Sequence, residues 1–157
     1  MKKDNWSVEY SFGKIEELSV SDRALIDKAF ESREHAYAPY SFYKVGAAAL
    51  LKGGDVVVGS NQENAAYPSG LCAERVALFA VGAQFPGIEI ETLAIATAAH
   101  GDIPATSCGS CRQVMHEFEH RQNRAIRVIF ADDDGNVLIT NSVADLMPFA
   151  FEAKRLG

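Results

Sequence analysis

The chain has 157 residues, 48 % of them hydrophobic, and a formal net charge of −6, which suits one domain with a substantial core and is too little for two ordinary ones. The acidic balance gives no electrostatic footprint for a polyanion, so no nucleic-acid partner is expected. Residues 1–10 are charged and without an apolar leader, no stretch approaches membrane-spanning length, and the three cysteines include no second CxxC pair; they read as reduced thiols or metal ligands in a cytoplasmic protein, not as a disulfide framework.

In chain order, residues 1–18 carry Trp6, Tyr10, Phe12 and Ile15 among charges and read as an N-terminal arm, docked or frayed, ahead of a domain spanning 19–157. Ser19 or Ser21 can cap a helix running to about residue 37, with Leu25, Ile26, Ala29, Phe30, Arg33, Ala36 and Tyr37 at helical spacing and Pro39 beyond it. Residues 44–51 read as an apolar strand, 52–55 as a Gly-Gly hairpin turn, and 56–58 as its partner strand. The run Ala47-Ala48-Ala49 is a poor strand former by propensity; its small size fits the close approach of another layer or of a ligand, with ordinary tight packing the preferred reading.

A polar loop is expected over 59–70, then a helix from Cys72 to about Gln84 closed by Phe85-Pro86-Gly87. Residues 90–98 form a central-strand candidate and 100–107 a loop beginning at His100. A helix follows over about 108–120 with Val114, Met115 and Phe118 inward. Strands are predicted at 125–130 and 137–140 around an acidic turn at 132–136, and Ser142 can cap a last turn to Leu146 before Pro148. This order predicts an α/β fold, a three-layer α/β/α sandwich around a mixed sheet of about five strands, made mixed by the opening hairpin.

Chemistry concentrates in two stretches, Leu71-Cys72-Ala73-Glu74-Arg75 and Ser107-Cys108-Gly109-Ser110-Cys111-Arg112-Gln113, which hold every cysteine. Cys108 and Cys111 have the spacing that lets two thiolates grip one ion from the start of a helix, and folding must bring in Cys72 as the third ligand. Three ligands on tetrahedral Zn²⁺ leave one position for water, the catalytic arrangement. Glu74 is the natural acid/base partner of that water. Positive helix ends favour the thiolates. Three thiolates blunt the acidity of the metal, and Arg75 or Arg112 can restore it by donating to sulfur, Arg75 being the preferred candidate.

Ala38-Pro39-Tyr40-Ser41, Val45-Gly46-Ala47-Ala48, Glu63-Asn64-Ala65-Ala66-Tyr67, Cys72-Ala73-Glu74-Arg75 and Cys108-Gly109-Ser110-Cys111-Arg112-Gln113 together resemble the small, homotetrameric, three-cysteine class of zinc cytidine deaminases, from about residue 18 to 151. The resemblance implies hydrolytic deamination of cytidine and 2'-deoxycytidine to the uridines with release of ammonia, in pyrimidine salvage, with one Zn²⁺ per chain. It puts ribose contacts on Asn61 and Glu63 and base packing on Tyr43, or on Phe42 if the register slips by one. It gives the pyrimidine carbonyl to the Ala73 N–H and the amino group to the Ser107 carbonyl. Phe151 falls where a phenylalanine of that family reaches into a neighbouring subunit's site. Three positions depart from the usual pattern: Ser107 stands for proline, Tyr43 for phenylalanine, and Gln62 in an often apolar slot.

Competing readings are a zinc deaminase of another amino-pyrimidine compound, such as a nucleoside antibiotic, and a zinc-stabilised binding or structural module. A polynucleotide deaminase ranks lower, because long substrates need a basic open channel. Glu74 separates an enzyme from a structural site, which has no use for an unliganded carboxylate beside an open metal position.

Overall fold

The computed structural model describes residues 1–98, 101–152 and 156; the predicted loop start at His100 lies outside the described residues. Its frame is a single six-stranded mixed sheet formed by β1 (Tyr10–Lys14), β2 (Gly46–Leu51), β3 (Val56–Ser60), β4 (Ile90–Thr97), β5 (Arg127–Asp132) and β6 (Asn136–Thr140). Their order is β1-β6-β5-β4-β2-β3. The β4–β5 pair is parallel and its neighbours are antiparallel. Helix α1 (Val20–Arg33) covers one face, while α2 (Ala73–Gln84) and α3 (Gly109–Gln122) lie side by side on the other. The predicted three-layer α/β/α architecture is the one observed. The strand beyond the expected five is β1, whose residues come from the N-terminal segment and pair with β6 from Tyr10↔Thr140 to Lys14↔Asn136.

Alternation along the strands sorts the core into two sides. Ala47, Ala49, Leu51, Leu93, Ile95, Val128 and Phe130 face α2 and α3, whereas Ala48, Ala94, Ala96, Ile129 and Ala131 face α1. The α1 side is built of small residues because that helix lies very near the sheet. A Cβ on Gly46 would run into the Ala29 carbonyl oxygen. Gly59 plays the same part on the opposite face, where a Cβ would strike the backbone of Ala73 and Ala77 in α2. The small residues of β2 are thus explained by the approach of a second layer.

Element ends differ from expectation where tertiary partners take over the backbone. Ser19 caps α1 by accepting from the Asp22 N–H at 3.1 Å, yet the helix stops at Arg33, short of the predicted residue 37. Tyr37 instead donates its N–H to Asn61 O at 3.0 Å and accepts from Glu63 N at 2.8 Å. Strand β3 runs on through Gly59 and Ser60, predicted as loop, because both pair with β2. Strand β5 sits two residues later than expected, since Ile126 gives its N–H to the Glu119 carboxylate at 2.7 Å before the strand begins. Asp132 is fully buried and accepts from the Asp134 and Asn136 N–H groups and the Asn136 amide, so the predicted acidic turn is organised by one internal carboxylate. A 3-10 turn at Val143–Leu146 follows, capped by Ser142 as expected.

Helix α3 is the crossover between the parallel strands β4 and β5, so it starts at the carboxyl end of β4. That end of an open α/β sheet is where ligand crevices form.

Candidate functional site

Cys72 is the N-cap of α2 and Cys108 the N-cap of α3. Both have extended backbone, and neither uses its side chain as a cap. The sulfurs are therefore free to turn toward each other. Cys111, one turn into α3, is buried, and the three Sγ atoms all lie within 4.8 Å of one another. A tetrahedral ion with Zn–S bonds of ~2.3 Å needs sulfurs roughly 3.8 Å apart, so the set closes on a metal with small side-chain adjustments. Soft thiolate donors fit zinc. The Cys72 thiol is lowered to about 6, first by a hydrogen bond from Cys111 and then, against its burial and the nearby Glu74 charge, by Arg75. The same hydrogen bond with Cys72, together with burial, pushes the Cys111 thiol up. Cys72 is thus the sulfur poised to be a thiolate.

Glu74 follows in the first turn of α2 and is 4 % exposed. Its Oε1 accepts from the Ser107 hydroxyl at 2.6 Å. Ser107, read from the sequence only as a backbone acceptor, is itself buried. Its carbonyl accepts from Arg112 Nε at 2.7 Å and keeps a second lone pair for another donor. Arg112 does not turn to a sulfur: it also donates to Leu146 O and Thr106 Oγ1, both at 2.9 Å, and so clamps the loop before α3. Arg75 Nη2 approaches Gly70 O at 3.4 Å and Cys72 Sγ at 3.9 Å, and its Nε is buried without a partner. Ala73 is the first residue of α2 and fully buried; an N–H at that position has no acceptor inside the helix.

The sugar-side candidates lie across a cleft of about 460 Å³, the size of an ordinary small-molecule site. Glu63, Asn64, Tyr40, Tyr67, Cys72 and Arg75 are among its walls, with the Tyr40 and Tyr67 rings 5.7 Å apart edge to face. Asn61 also lines it, but its amide is engaged with the backbone: Oδ1 accepts from Val45 N at 2.8 Å and Nδ2 donates to Tyr43 O at 2.9 Å. Glu63 Oε2 accepts from the Tyr40 and Ser41 N–H groups at 2.9 and 3.2 Å. The Ser41 hydroxyl and the Tyr40 N–H hold its carboxyl below the usual range. Both residues therefore anchor the segment that carries Tyr43. Of the two aromatic candidates, Tyr43 is half-buried while Phe42, at a positive φ, is 85 % exposed. Phe151 is not among the residues that line this cleft; it is exposed, with its carbonyl accepting from Gln113 Nε2 at 3.0 Å.

Two features escaped the sequence reading. The Ser107–Glu74 bond depends on a rotamer that no spacing encodes, although a hydroxyl just before a helix N-cap is a visible cue. The cleft-wall pair Tyr40 and Tyr67 needs the 37–42 turn to be folded back on residues 61–63.

A family model for the cytidine and deoxycytidylate deaminase zinc-binding region matches residues 19–126. A cytidine deaminase of Halalkalibacterium halodurans is 40 % identical over 133 residues, covering 85 % of this chain and 96 % of the relative. One from Sporosarcina psychrophila is 39 % identical, with 85 % and 93 % covered. The crystal structure of a cytidine deaminase from Burkholderia pseudomallei superposes with a TM-score of 0.74 at 43 % identity, covering 85 % of this chain and 100 % of the other.

Proposed function

The chain belongs to the zinc-binding cytidine deaminase family and carries a three-cysteine metal site, and on that premise we propose that it deaminates cytidine and 2'-deoxycytidine hydrolytically in pyrimidine salvage. The observation that carries this reading is the meeting of three thiols within 4.8 Å, beside a buried carboxylate at the start of the same helix as Cys72.

Cys72, Cys108 and Cys111 would hold one Zn²⁺ per chain, which when bound supplies Lewis acidity and lowers the pKa of water at its open position. Glu74 would take one proton from the attacking water and pass it to the ring nitrogen N3, then carry the proton left on the new C4 oxygen to the departing amine. A C–O bond forms at C4, the C4–N bond breaks, and ammonia leaves. The Ala73 N–H holds the pyrimidine carbonyl and the Ser107 carbonyl receives the amino group. Asn61 and Glu63 take the ribose hydroxyls, and Tyr43 packs on the base. Arg75, beside Cys72 Sγ, draws charge from the sulfur and keeps the ion acidic. A carboxylate at Glu63 repels a 5'-phosphate, which favours nucleosides over nucleotides. Phe151, exposed and outside the lining of its own cleft, reaches a neighbouring subunit of a homotetramer. The catalytic domain is read as residues 19–157, with 1–18 as an arm docked on its sheet through β1. The enzyme works in the cytoplasm on small nucleosides, without nucleic-acid or membrane partners.

The test is loss of the cytosine chromophore when zinc-quantified protein meets cytidine, deoxycytidine and cytidine monophosphate, with Glu74→Gln as control. The expected result is turnover of both nucleosides, little of the nucleotide, and a Gln variant that keeps one zinc per chain but loses at least about 10³-fold in kcat. Zinc-loaded wild type that leaves both nucleosides untouched refutes the reading.

A further inference from the structure

Ser107 offers two separate groups to the site. Its carbonyl is fixed from behind by Arg112, and Arg112 is fixed in turn by Leu146 O and Thr106 Oγ1. The next residue is tied to the same helix, for Cys108 O accepts from Arg112 N at 3.0 Å. A buried hydroxyl on so constrained a residue has little choice of direction, and it points at Glu74 Oε1 from 2.6 Å, the length of a charge-assisted bond.

Such a partner has a use at Glu74. It sits in the first turn of α2, where an unheld carboxylate is drawn back to the unpaired N–H groups of its own helix. Its long side chain also has several rotamers to lose. The bond from Ser107 holds it across the gap between the two helix starts that carry the cysteines.

We propose that the Ser107 hydroxyl is the positioning residue of Glu74: it commits Oε1 to a fixed donor and reserves Oε2 for the moving proton. A serine hydroxyl can donate to Oε1 whether or not Oε2 carries hydrogen. The carboxyl group therefore stays in place as it collects and delivers protons. The inference rests on the deaminase reading above and deepens it, dividing Ser107 between a carbonyl that binds the substrate amine and a hydroxyl that serves only the proton carrier.

The experiment compares S107A, S107T and S107V in the zinc-loaded full chain. Thr and Val have the same shape and differ in the hydroxyl, so this pair remains informative if alanine disturbs the loop. Losing one charge-assisted bond is expected to reduce kcat about 10- to 100-fold in S107A and S107V, with KM for cytidine within about threefold. S107T is expected to retain at least about tenfold more activity than S107V. A second readout needs no turnover. A ring-hydrated nucleoside analogue with a hydroxyl on a tetrahedral C4 should bind S107V about 10- to 100-fold more weakly, while uridine affinity holds.

Hydroxyl-free variants that match wild type in kcat and analogue affinity overturn the proposal. So does a parallel loss of uridine binding and kcat, or a threonine variant as poor as valine, since each marks a packing role. If zinc-loaded wild type fails on cytidine, the deaminase reading falls and this inference with it; an active wild type beside unaffected variants removes the inference alone.

Discussion

Glu119, on α3, accepts four hydrogen bonds from segments far apart in sequence. Oε2 takes the Ile126 and Val143 N–H groups at 2.7 and 2.8 Å, and Oε1 takes the Ser142 hydroxyl at 2.8 Å and the Ala144 N–H at 3.2 Å. A carboxylate can accept all four, whereas a glutamine amide has one accepting oxygen. Its least costly orientation in Glu119→Gln keeps Ile126 and Val143 on that oxygen and lets Ser142 rotate to accept, leaving the Ala144 N–H unserved by residue 119. The three retained bonds fall from charge-assisted to neutral, about 1 kcal/mol each, while the Ala144 N–H keeps the Ser142 oxygen as its partner, for a total near 3 kcal/mol. In a chain of this size that corresponds to a melting point lower by about 6–12 °C. The assay is thermal unfolding of zinc-loaded wild type and Glu119→Gln at pH 7 and one protein concentration. A shift of under about 2 °C would refute the argument that this carboxylate fastens α3 to the start of β5 and to the 3-10 turn.

Two further tests probe packing and charge. Gly46→Ala pushes a methyl into the Ala29 carbonyl; the expected cost is about 1–3 kcal/mol in urea unfolding, with zinc content unchanged because α1 lies on the face opposite the cysteines. Cys72, at about 6, sits below the ordinary thiol value of 9.0. It is therefore already a thiolate at pH 8 and protonated at pH 5. Calorimetric zinc titration of metal-free protein in paired buffers should show about one more proton released per zinc as pH falls through 6, a step absent in Cys72→Ser.

The sequence made the periodic parts legible and the partner-dependent parts obscure. Strands β2, β4 and β6 announced themselves through apolar runs between turn residues, and Ser19 and Ser142 through capping chemistry. The thiol cluster was readable because thiol spacing is itself a geometric statement: Cys108 and Cys111 share one helical turn. What escaped were positions decided by remote atoms. Nothing local to Tyr10–Lys14 reveals that β6 would have an edge free for it. The end of α1 at Arg33 depends on Tyr37 bonding with 61–63, and those residues are also where Asn61 gives its amide to the 43–45 backbone. The Ser107 hydroxyl was hidden for the same reason, its partner being decided by how two helix starts face each other.

The division of the three sulfurs between two distant segments also affects the order of assembly. Cys108 and Cys111 can come together as soon as the first turn of α3 forms. Cys72 is brought to them by the packing of α2 beside α3 on one face of the sheet, a non-local contact with a larger loop-closure cost. Two sulfurs chelate a cation far more weakly than three. Tight capture of an ion therefore requires the starts of both α2 and α3 to be in place.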